Sequence, residues 1–129
     1  MREHKFRGKR LDNGEWVYGR YSFYLRGMAD IKTDIVVPEN GDGAEEIVPS
    51  TVGQFTGLLD KNGKEIFEGD IVENLTEDII QKIQYDIETA RFVITGEGLL
   101  FDFDNTYSTE LEVIGTIHDN PELLKQEEL

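Results

Sequence analysis

Two histidines, His4 and His118, are the only imidazoles in this 129-residue chain. A histidine-dependent hydrolase or metal centre needs at least one of them in a pocket with partners. His118 stands beside Asp119, but neighbours on a strand point to opposite faces. A surface or capping role is therefore expected for it. His4 falls among basic residues in the first predicted strand. Asp102 and Asp104 share one strand face, with Phe101 and Phe103 on the other. Paired carboxylates of this kind bind divalent cations or act as acid and base. The simpler reading is a solvated acidic face. A calcium loop starting at Asp102 fails, because Tyr107 stands where glycine is needed and Val113 where the closing glutamate belongs. Gly57 to Lys64 is one residue too long for a phosphate-binding loop, and Glu65 replaces the magnesium-holding hydroxyl. Gly96-Glu97-Gly98 reads as a turn, with no third glycine and no helix behind it. The chain has no cysteine, which removes disulfides, thiol nucleophiles and thiolate metal sites. No catalytic, cofactor or metal set emerges, so a non-enzymatic protein without cofactor is expected.

The remaining chemistry is aromatic and cationic. Trp16, Tyr18, Tyr21, Phe23 and Tyr24 lie near Arg20 and Arg26. Such residues pack a hairpin core, form a subunit interface, or stack on bases. Arg2 to Arg10 adds five basic residues against one acid, Glu3. Arg7, Lys9, Arg10, Trp16, Tyr18 and Arg20 are the candidate interaction surface.

The net charge is −14. Residues 1–60 carry 8 basic and 10 acidic side chains, whereas residues 61–129 carry 5 and 17. A chain this acidic repels phosphate backbones, and solubility is the plain reading of its charge. The basic start and the acidic second half also suit a head-to-tail contact between copies, which makes a homo-oligomer the expected partner. A second, different protein is the other expected partner. The alternative is an acidic modulator of nucleic-acid transactions. It would mimic nucleic acid toward a basic protein or bind nucleic acid weakly through the first hairpin.

The elements that must hold these residues are strands. Period-two alternation dominates, and Gly, Asn and Asp punctuate it every 8–12 residues, as in a small barrel or sandwich. Strands are predicted over His4–Leu11 and Glu15–Leu25, joined by Asn13-Gly14, a strong hairpin signal. Both faces of the second strand carry aromatics, so both are expected to be covered. A third strand, Ile31–Val37, stops at Pro38, and Glu39–Ala44 is a loop by composition. Asn62-Gly63 marks another hairpin between Phe55–Asp60 and Lys64–Phe67. Gly69-Asp70 then turns into Ile71–Leu75. Further alternation runs through Ile79–Tyr85, Ala90–Ile94, Leu99–Phe103 and Leu111–Ile117, with a possible bulge at Gly115. Asn120-Pro121-Glu122 opens a helix of about two turns. The first seven residues have no apolar run behind them, so no signal peptide is expected. No segment reaches the ~18 apolar residues of a membrane span. Asn74-Leu75-Thr76 fits a glycosylation sequon but reads as coincidence without a secretion signal.

Three blocks of the chain resemble the YopX-like family. They are Lys5-Phe6-Arg7-Gly8-Lys9 with Trp16-Val17-Tyr18-Gly19, the long stretch Val52 to Val72, and the closing segment Glu112 to Leu124. The resemblance implies a phage or prophage protein of unknown function acting in the bacterial host cytoplasm, so that the expected protein partner would be a host or phage protein. It implies a mainly β fold with a small SH3-like barrel. Mapped onto this chain, residues 1–129 form a single domain. Residues 1–50 are an N-terminal β-hairpin region, 51–118 the barrel, and 119–129 a short helix and tail. The family brings no catalytic motif, and such barrels host many unrelated roles.

Overall fold

The computed structural model describes residues 4–39, 41, 43–96, 98–104 and 108–125. The chain divides into two compact units, Met1–Phe55 and Thr56–Leu129, and passes from one to the other within a single strand.

In the first unit, β1 (Phe6–Lys9) and β2 (Trp16–Arg26) pair antiparallel, with Arg7 opposite Tyr18 and Lys9 opposite Trp16. The predicted Asn13-Gly14 turn forms. Gly14 takes a φ of 74°, and the Asn13 carboxamide accepts the Glu15 N–H. β3 (Ile31–Pro38) pairs along β2 from Gly19 to Arg26. The expected loop ends in a two-residue strand, β4 (Glu45–Glu46), which reaches β3 only at Ile35 and Val36. A 3-10 turn, Pro49–Thr51, leads into β5 (Gly53–Leu59), whose first residues pair with β1. The strand order here is β4-β3-β2-β1-β5.

Thr51 fastens the 3-10 turn to β1. Its hydroxyl donates to the Val48 carbonyl and accepts the Lys9 N–H. Thr51→Ala removes both bonds at a buried position and should cost about 1–2 kcal/mol, measurable as a lower urea midpoint at unchanged slope.

In the second unit, the rest of β5 pairs with β6 (Glu65–Phe67). A separate sheet holds β7 (Asp70–Asn74), β8 (Ile79–Asp86), β9 (Arg91–Gly96), β10 (Leu99–Asp102) and β11 (Leu111–Thr116), in the order β10-β9-β8-β7-β11. Ile66, Val72, Ile83, Phe92, Ile94, Phe103 and Leu111 form one buried cluster, with Leu58, Tyr85 and Val113 packed against it. The Gly69-Asp70 turn is built as its sequence suggests. Gly69 takes a φ of 93°, and the buried Asp70 carboxylate accepts the Phe67 N–H at 2.7 Å. Gly115 does mark a bulge against β7. The predicted helix is one turn within the described residues, α1 (Glu122–Lys125). The predicted tail beyond Lys125 lies outside them.

The expected barrel does not close. The five-stranded sheet is open, and its edge strands β10 and β11 share no ladder among the described residues. The cause is visible on β11. Its Val113 N–H donates to the Asp60 carboxylate and its Leu111 carbonyl accepts the Lys61 N–H. These bonds to the β5–β6 turn occupy groups that closure would need. A barrel has no edges only when first and last strands pair.

Candidate interaction surface on the first hairpin

Cross-strand partners share a face, so the β1–β2 register collects Arg7, Lys9, Trp16 and Tyr18 on one side of the ladder. Arg20 follows on the same face of β2 by alternation. Five of the six candidate residues are thereby brought together. Arg10 is not. Strand parity turns it to the opposite face, where it pairs with Asp12 at 2.8 Å and Glu45 at 3.4 Å.

Three of the five engage one another. The Arg7 guanidinium lies 4.5 Å and the Lys9 ammonium 5.5 Å from the Trp16 ring centre. Arg7 is only 5% exposed. Cation–π contacts of this kind are worth about 0.5–2 kcal/mol, and here they hold the base of the hairpin. Tyr18 and Arg20 are exposed and mark where the accessible surface begins.

That surface continues beyond the predicted set. The outer part of β2–β3 exposes Phe23, Tyr24, Leu25 and Ile31, and Met28 at its turn is 105% exposed. Phe23 and Leu25 alternate with Tyr24, so both faces carry apolar groups. The expectation that both faces of β2 are covered therefore fails for its outer half. β1 pairs with β2 only as far as Gly19, and β4 with β3 only at Ile35 and Val36. Among the described residues, Arg20–Arg26 and Ile31–Thr33 each have ladder partners on one side only. Among the described residues these strands form a two-stranded arm with two open edges.

The arm is anchored where it leaves the unit. The Tyr21 hydroxyl donates to the buried Asp34 carboxylate across the ladder. The bond to this carboxylate, then burial, holds the Tyr21 phenol above its ordinary range. Lys32 stands 3.5 Å from Asp34 and 4.8 Å from the Phe23 ring centre. Phe6 packs its ring 5.8 Å from that of Tyr21.

The other candidates stay apart. His4 is exposed, and the half-buried His118 uses its backbone N–H on the Thr116 hydroxyl. Asp102 pairs with Arg91 across β9–β10, and Asp104 is exposed. Among the described residues no group of three His, Asp or Glu side chains could hold a metal. Asn74, the sequon residue, is buried and accepts the Thr76 and Glu77 N–H groups. Among the described residues no helix is long and apolar enough to cross a membrane.

The arm could have been found in the sequence. Trp16 to Leu25 lacks the polar face of an ordinary half-buried strand. Nothing in the pattern told covered aromatics from uncovered ones.

The family model described as YopX protein matches residues 5–125. The chain is also similar to a solved structure, that of protein EF1440 from Enterococcus faecalis. The two share 28% sequence identity at a TM-score of 0.57, over 96% of this chain and 99% of the other. No curated protein matches.

Proposed function

The chain belongs to the YopX family, and from that premise we propose that it is a self-associating protein-interaction module, a phage or prophage accessory protein without catalytic chemistry. The observation that carries this reading is the exposed apolar arm of β2 and β3. An isolated two-stranded ribbon is marginal in water. A long apolar strand pair with open edges invites addition of another chain. Contiguous exposed apolar surface of this kind marks interaction sites. Tyr, Trp and Arg, the side chains favoured at interfaces, cluster along the same hairpin. The test is the solution mass by light scattering at low and high salt. The reading predicts masses above the 14.8 kDa of one chain, whereas a monomer under every condition would end it.

One observation favours a second reading. Residues 61–129 carry a net charge of −12, from 5 basic and 17 acidic side chains. An acidic body of this size suits occupation of a basic, nucleic-acid-binding host protein. Salt-sensitive recovery of such a protein from host lysate would support it, and recovery of none would dismiss it.

A further inference from the structure

We infer that the tip of the arm in one copy seats in a pocket on the C-terminal unit of a second copy. This inference rests on the self-association reading and names the two surfaces that meet. The tip is an apolar knob among cations. Gly27 and Asp30 take φ values of 75° and 50°, and the tight turn they make carries the fully exposed Met28. Arg20 to Lys32 holds three basic side chains and one acid, Asp30. Arg26 keeps more than half its side chain exposed, with one 3.7 Å contact to Glu46.

The second unit presents the complement. A cavity of about 210 Å³ opens at one end of its core face. Ile79, Ile94, Phe101 and Leu111 supply apolar walls, and Glu77 and Glu110 supply carboxylates. Phe101 is an exposed aromatic, and methionine sulfur makes favourable contacts with rings. The unbranched Met28 side chain adapts to an irregular hole of this kind. Arg26 then lies beside two carboxylates of a unit whose acids outnumber its bases. An acidic cluster alone would mean little. Here it borders an apolar hole, and the same chain carries an exposed apolar knob of opposite charge.

The two surfaces differ, so the contact is heterologous. Repetition of it closes into a ring or runs on as a filament.

The test compares solution masses of the full chain and three variants over a concentration series. Met28→Asp is expected to weaken assembly about thirtyfold or more, the scale of an interface anchor. Because Met28 touches nothing, its dichroism and melting curve should match the wild type. Glu77→Lys with Glu110→Lys should weaken assembly likewise. Adding Arg26→Glu to that pair should restore it in part. Wild-type assembly that Met28→Asp leaves unchanged would overturn the inference and leave self-association to another surface. Loss in both variants without rescue would overturn the pairing of tip and pocket. A wild-type chain that stays monomeric would overturn this inference and the self-association reading together.

Discussion

Replacing Asp60 with alanine should destabilise the second unit by about 3–5 kcal/mol. Asp60 is buried, and its two oxygens accept the backbone N–H groups of Asn62, Lys64 and Val113 at 2.8, 2.9 and 3.0 Å. Two of these bonds shape the Asn62-Gly63 turn. The third crosses to β11. Alanine strands three donors, each at about 1–3 kcal/mol where water cannot replace the lost acceptor. Urea unfolding followed by far-ultraviolet dichroism measures the loss. Asp60→Asn, which keeps one carbonyl acceptor, should lose less.

The same carboxylate makes a pH prediction. Burial pushes its pKa up, but the N–H donors of Val113, Lys64 and Asn62, with the Lys64 charge, outweigh burial and hold it below the ordinary carboxylate range. A lowered folded pKa means that the ionised form favours the native state. Its contribution is complete above the unfolded value of about 3.9 and disappears as pH falls through the lower folded value. The stability gap between the wild type and Asp60→Asn should thus be constant at neutral pH and close in acid. A gap that widened in acid would contradict this account of Asp60.

Gly19→Ala is the second large effect, and it falls in the first unit. A Cβ at Gly19 would stand 2.0 Å from the Val37 carbonyl oxygen and 2.8 Å from its carbon. These are backbone atoms, and no rotamer change moves them aside. Gly19 also sits where β2 is paired on both sides, with Phe6 and with Pro38. Accommodating one methyl means separating β3 from β2 at the foot of the arm. About 3 kcal/mol or more is expected, the upper range for overpacking. Gly14→Ala is the control. Nothing lies within 4 Å of its added carbon, so only the positive φ resists, at about 1 kcal/mol. The single tryptophan, Trp16, reports the first unit by fluorescence. Equal midpoints for the two glycine variants would remove the steric account of Gly19.

Strands were legible because their physics is local. Alternation and Asn-Gly or Gly-Asp corners place most elements within a few residues, since each signal acts on its own backbone. The bulge at Gly115 was legible for the same reason. Barrel closure was not, because it depends on whether β10 meets β11. That question is decided by Asp60 and Lys61 taking β11 groups some fifty positions away, which no local pattern encodes. The candidate surface was half legible. Cross-strand register explains why Arg7, Lys9, Trp16 and Tyr18 meet, and parity explains why Arg10 does not. That Arg7 would be spent on Trp16, while Phe23, Leu25 and Met28 stay in water, depends on where β1 and β4 stop. The lengths of those two strands were beyond what composition and period could say.

Amide hydrogen exchange of the unmodified chain, recorded at low and at high protein concentration, bears most directly on the arm as an association surface. Association predicts that amides in Arg20–Arg26 and Ile31–Thr33 become protected as concentration rises, while those of the Ile66 and Ile83 core keep their rates. Exchange in the arm that is equally fast at both concentrations would contradict it.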